Sequence, residues 1–146
     1  MTDHLRRRLW QWALAAWLAP AAAGAAVLAE RDARAVRAVI EAQLDAFAAN
    51  DAERAYSYAS DAIRTQFADA ATFMAMVKTG YPMVVRPASV TFFQPDVADG
   101  VVLQIVQLRG SDGRLWRASY QLARQAGDNW RINGCAVVAD SDKSLT

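Results

Sequence analysis

Apolar side chains recur at Val36, Ile40, Leu44 and Phe47, that is at i, i+4, i+8 and i+11, which places them in one stripe of an α-helix spanning residues 32–48. Glu41 and Asp45 lie away from that stripe and face solvent, and Arg37 is set to pair with Glu41 one turn on. Asn50 and Asp51 end the pattern, and Asp51 caps a short helix carrying Ala55, Tyr56 and Tyr58. Ser60 caps another, with Ile63 and Phe67 on one side. Asp69 precedes a further helix through Phe73, Met76 and Val77, which Gly80 is placed to stop.

Beyond Pro87 the period changes to two. Residues 89–94, 101–109, 115–124 and 130–138 are rich in Val, Ile, Phe, Trp and Tyr and predict four strands. Turn residues fill the intervals 95–100, 110–113 and 127–129, so successive strands are expected to pair as antiparallel hairpins. Helices first and a curling antiparallel sheet second make an α+β domain, with the first helix against the concave face.

The N-terminus has a different character. Arg6, Arg7 and Arg8 precede a stretch, residues 9–29, without a charged side chain, divided by Pro20 into a Trp/Leu segment and an Ala-rich segment containing Gly24. A basic start, an apolar run and a small-residue tail are the three regions of a secretory signal peptide. Cleavage after Ala29 is preferred to cleavage after Ala26, which sets residues 1–29 as leader, 30–139 as the single domain and 140–146 as a tail. The expected location is periplasmic or secreted. The alternative is an uncleaved segment anchoring the protein to the inner membrane, the only membrane association the sequence suggests. The Arg cluster fits a twin-arginine export signal only loosely.

Without the leader the chain keeps 13 basic and 14 acidic residues, a net charge of about −1, so no basic footprint for nucleic acid remains. The single His, His4, leaves with the leader and takes imidazole chemistry with it. The single Cys, Cys135, cannot close an internal disulfide. No pattern of metal ligands or cofactor-binding motif is present, and none is expected to be needed.

Three stretches and a closing segment carry a family likeness: residues 39–47 (VIEAQLDAF), 58–64 (YASDAIR) and 76–87 (MVKTGYPMVVRP), then 130–134 (WRING). In these the chain resembles an exported bacterial domain-of-unknown-function family, number 4864, with the cone fold of nuclear transport factor 2, ketosteroid isomerase and polyketide cyclases. The resemblance implies a cystatin-like cone with a pocket between helices and sheet. It brings no activity with it.

Proton-transfer catalysis in such a cone would need a carboxylate in the apolar pocket with a buried Tyr or acid opposite. Here Asp96, Asp99, Asp112 and Asp128 fall in turns, Asp140 and Asp142 in the tail, Glu41 and Asp45 on the polar face of the first helix, and Asp61 and Asp69 at helix starts. Gln43 is more informative: it points about 40° from the centre of the apolar stripe. It is either a pocket amide that orients a ligand or a core amide satisfied by backbone. Tyr81 and Arg86 bracket the Pro-rich connection, where Arg86 either clamps the loop to a helix C-terminus or offers a fork to an anion. Trp116 and Tyr120, on one strand face, form an aromatic floor, and Cys135 on the last strand is a small hydrophobe unless a cation lies beside it.

Val101, Leu103 and Ile105 make one face of their strand apolar while Val102, Val106 and Leu108 do the same for the other, which calls for a cover, either the C-terminal tail or a second copy, and the prediction is a homodimer through the sheet. The expected function is a non-catalytic binding or interaction domain holding a small apolar or amphipathic ligand between the first helix and the sheet. Its candidate ligand-binding residues are Gln43, Tyr81, Arg86, Trp116 and Tyr120. The alternative is a small enzyme of the ketosteroid isomerase-like or polyketide cyclase-like fold with an atypical site.

Overall fold

In the computed structural model, which describes residues 27–141, four helices are laid over one antiparallel sheet. Residues 1–26, and with them most of the signal-peptide expectation, and residues 142–146 lie outside the described residues. The helices are α1 (Glu30–Ala48), α2 (Ala52–Ser57), α3 (Asp61–Arg64) and α4 (Ala70–Gly80), followed by a short 3-10 turn, Pro82–Val84. The strands are β1 (Ser89–Phe92), β2 (Asp96–Ala98), β3 (Val101–Arg109), β4 (Leu115–Arg124) and β5 (Trp130–Ala139).

The α1 stripe is buried as the spacing requires, with Val36 and Ile40 wholly inaccessible and Leu44 and Phe47 nearly so. Arg37 Nε meets Glu41 Oε1 at 2.6 Å on the outer side, and its guanidinium lies 4.5 Å from the centre of the Phe92 ring. The helix ends where Asn50 turns to φ +55°, a left-handed conformation that Asn tolerates better than most residues. Each following helix starts on the expected cap. Asp51 accepts from Arg54 N at 3.1 Å, Ser60 Oγ from Ile63 N at 3.3 Å, and Asp69 from Thr72 N at 2.8 Å. The end of α4 differs from expectation. Gly80 is its last helical residue and keeps a negative φ; the stop comes at Tyr81 (φ −136°, ψ 52°), because the residue before Pro82 is driven out of the helical region.

Five strands form the sheet rather than the expected four. The interval 95–100 is not all turn: Asp96–Ala98 pairs with residues 101–103 of β3, and Asp99 (φ +51°) and Gly100 (φ +75°) make the two-residue turn between them. Two successive positive φ values define the hairpin turn that Asp-Gly favours, and that dipeptide was the signal for the extra strand. β1 and β2 lie end to end along the same edge of β3, separated at Pro95, which has no N–H for the ladder. The buried Gln104 spans the break, its Nε2 donating to Phe93 O at 2.6 Å and Ile105 O at 3.0 Å. From β3 through β4 to β5 the pairing is a plain meander.

One sheet face is core. Val102, Val106 and Leu108 of β3, Ala118, Tyr120 and Leu122 of β4, and Trp130 and Ile132 of β5 close on Ile40, Leu44 and Phe47. β5 is an edge strand, and its pairing with β4 shifts register at Gln121/Leu122, where a bulge bends it. The helical layer is tied to this edge by Ser60 N to Ile132 O and Ile132 N to Tyr58 O, both 2.8 Å, and by the Ser60 hydroxyl donating to Asn133 Oδ1 at 2.8 Å. The opposite sheet face shows Phe93, Val101, Leu103 and Val138 to solvent, at 44%, 36%, 36% and 59% exposure.

The Asp69 cap gives a pH test. Backbone and then side-chain hydrogen bonds from Thr72 hold its carboxyl below the usual range. A carboxyl depressed in the folded state stabilises above its unfolded pKa of about 3.9 and loses that contribution as pH falls through the folded value. Urea midpoints are therefore expected to separate Asp69→Ala from the parent near neutral pH, and the gap is expected to narrow in acid, below about pH 3.

Candidate functional site

A cavity of about 250 Å³ opens between the helical layer and the β4–β5 end of the core face. Its walls come from five places in the chain: Gln43 and Phe47 of α1; Ile63, Gln66 and Phe67 in and after α3; Phe73, Met76 and Val77 of α4; Tyr81 and Val84 in the connection; and Tyr120, Ile132, Cys135 and Val137 of the sheet. It exists because α1 covers the sheet only in part, while the short α3, held to Ile132 and Asn133, bridges to α4 above the edge strand. Phe73 is the hub of its aromatic wall, with ring centres of Phe67, Tyr56 and Phe47 at 5.5, 5.6 and 6.2 Å, tilted or edge-on as ring quadrupoles favour. The Tyr56 hydroxyl donates to Arg64 O at 2.7 Å and so holds the end of α3 beside that wall.

The polar groups in the lining are few and uncharged. Gln43, 4% exposed, donates from Nε2 to Ala55 O at 3.1 Å. That bond fixes which way the amide points and leaves Oε1 as an acceptor with no partner among the described residues, in a side chain that forms part of the wall. The Ala55 carbonyl is the backbone partner expected of a core amide, and the same side chain lines the cavity. Tyr120 is 1% exposed, and burial, with Cys135 as its neighbour, pushes its hydroxyl well above the ordinary phenol range, so it stays a protonated donor. Cys135 is its cross-strand partner. Solvent reaches Cys135 at the cavity's open side, but the surrounding protein desolvates the thiol and pushes it up to about 12, against a smaller opposite pull from the Tyr120 hydroxyl.

Of the five side chains expected to bind a ligand, Gln43, Tyr81 and Tyr120 line this cavity together. Arg86 and Trp116 do not. Arg86 lies in a separate groove with Glu41, Asp45 and Phe92, where its guanidinium donates to Ala48 O at 2.9 Å. That carbonyl belongs to the last turn of α1, so Arg86 is the clamp on a helix C-terminus, the first of the two roles its sequence position offered. Trp116 shares the Tyr120 face but sits beyond the cavity, with the Arg114 guanidinium 4.8 Å from its ring centre. Phe47, Phe67, Phe73, Met76 and Cys135 were not singled out as ligand contacts. Their helical or alternating spacing is that of ordinary core, and only the gap between α3, α4 and β5 turns them into a wall.

No group of three or more His, Cys, Asp and Glu gathers among the described residues in a way that could hold a metal ion. Alkylation by iodoacetamide near pH 8 is expected to be slower for Cys135 in the folded protein than in urea, because only the thiolate reacts and its surroundings raise the folded thiol above the unfolded one. Equal rates would place the thiol in an ordinary aqueous setting.

A family model described as Domain of unknown function (DUF4864) matches residues 29–145. No curated protein matches the chain.

Proposed function

The chain belongs to the DUF4864 family, and from that footing we propose that it is an exported binding domain which holds a small apolar or amphipathic ligand between the helices and the sheet. The observation that carries this reading is the cavity wall itself: apolar and aromatic over most of its surface, with the amides of Gln43 and Gln66, hydroxyls and a thiol as its polar groups and no carboxylate, imidazole, guanidinium or ammonium group in it. Sites that recognise small molecules have this make-up, a predominantly apolar lining with a few placed polar groups. Proton transfer near neutral pH needs a group that titrates there, and burial moves both Tyr120 and Cys135 away from that range. Helices over a bent antiparallel sheet with a pocket between them also support the cone architecture of the nuclear-transport-factor-2-like proteins.

Export and self-association complete the proposal. The family match begins at residue 29 and α1 at Glu30, directly after the Ala29 junction preferred for cleavage. Within the described residues no helix is long and apolar enough to cross a membrane. Phe93, Val101, Leu103 and Val138 give the outer sheet face an apolar character that pairing with a second copy would cover.

Ethylbenzene is expected to bind the folded protein in ligand-observed NMR, and Met76→Trp, which fills the cavity from α4, is expected to abolish that binding without lowering the thermal midpoint by more than a few degrees. Binding that survives the filled cavity would move the site elsewhere. Expressed in a bacterium with an outer membrane, the protein should be recovered from the periplasm with Glu30 as its N-terminal residue; intact chain in the cytosol would overturn export. Sedimentation at micromolar concentration should return a dimer, and a monomer there would remove the sheet-face interface.

A further inference from the structure

We infer that the ligand of this cavity is a neutral molecule of about ten heavy atoms, one ring with a short arm, bearing a single uncharged hydrogen-bond donor, in the simplest case a hydroxyl, that donates to Gln43 Oε1. This deepens the binding reading above and rests on it.

Size comes first. An apolar cavity of about 150 Å³ accepts a benzene ring, so one of about 250 Å³ has room for a ring and a few further atoms. The wall around Phe47, Phe67 and Phe73, with Met76, Val77 and Val137, presents ring faces, ring edges and a thioether, surfaces that suit a ring.

Charge comes second. A carboxylate or ammonium group entering this lining would lose its hydration and meet no opposite charge, a cost that uncharged partners do not offset. The ligand's polar group is therefore neutral.

Hydrogen-bond polarity comes third. Gln43 has a donor end and an acceptor end, and the Ala55 carbonyl has already taken the donor. A ligand therefore finds an acceptor at this point, on a residue that is 4% exposed and held in orientation from behind. A ligand seated here displaces the solvent that now reaches this acceptor, so one that donates to it is favoured over a group of the same shape that leaves it unpaired. Tyr120 and the Cys135 thiol, side by side on β4 and β5, add polar contacts for the oxygen of the same group.

The test uses the full chain and four probes of nearly one shape: 2-phenylethanol, its methyl ether, ethylbenzene and phenylacetate, titrated at neutral pH by ligand-observed NMR. The alcohol is expected to bind about tenfold more tightly than the ether and the hydrocarbon, and phenylacetate not measurably. Gln43→Met, which keeps length but not the acceptor, is expected to level the alcohol with the hydrocarbon, whereas Tyr120→Phe should keep most of the preference. The wild-type ranking stands as a test even if Gln43→Met fails to fold. If ether or hydrocarbon matches the alcohol, the cavity binds but the donor assignment is wrong. Phenylacetate as the tightest probe would overturn the neutral class. Should none of the four bind, ethylbenzene included, the binding reading itself falls.

Discussion

Two backbone hydrogen bonds to Ile132, from Ser60 N and to Tyr58 O, decide where the helical layer can sit. They make the chain between α2 and α3 run along the outer edge of β5 for a single step, with the Ser60 hydroxyl on Asn133 as a third tie. Ser60 is at once the cap of α3, so one residue starts a helix and fixes that helix to the sheet. Everything that forms the cavity depends on this attachment. α3 and the segment to Phe67 are held above the sheet edge, α4 packs on α2 behind them, and the core face of β5 past Ile132 is left without a helix pressed on it.

A short helix carried this way would be weak alone, since four residues close barely one turn. Its support comes from side chains on both flanks: Tyr56 reaches Arg64 O, Arg64 meets Asp61 at 2.7 Å, and Phe67 stacks edge-on against Phe73. The adjoining β4–β5 turn is tied to α1 by charges. Asp32, half-sheltered in the first turn of α1, meets Arg124 at 2.8 Å, and that guanidinium also lies 4.7 Å from the centre of the Trp130 ring. On the outer sheet face Asp140, just past β5, accepts from Gln107 at 3.0 Å and faces Arg117.

The helices were legible because their signals are local: a stripe on α1, and a capping side chain at Asp51, Ser60 and Asp69, each found on the backbone N–H three residues on. The long strands were legible through their alternation, and Trp116, Ala118, Tyr120 and Leu122 do share the core face. Two local signals were outranked by stronger neighbours, Gly80 by Pro82 and the loop composition of 95–100 by its closing Asp-Gly turn. The candidate site was legible only in part. Gln43 betrayed itself as a polar side chain near an apolar stripe, but a cavity is a gap left by long-range packing, and no periodicity marks where helices fail to meet a strand. Arg86 and Trp116 fall outside the cavity for that reason: Arg86 lies two residues past the lining Val84, and Trp116 shares the strand face of the lining Tyr120 one step too far along it.

The same edge that opens the pocket also leaves part of β5 without a neighbour. Past its bridge to Ile132 the strand continues through Cys135, Ala136, Val137 and Val138, uncharged and without proline, with every second peptide group turned away from β4. Natural sheets blunt such borders with lysine, proline or a covering segment. Here the blunting is left to the bend at the bulge and to the short span of the run. The tether covers the strand at Ile132 alone, so this border is bare even in the folded chain and is where strand-to-strand association between copies would begin.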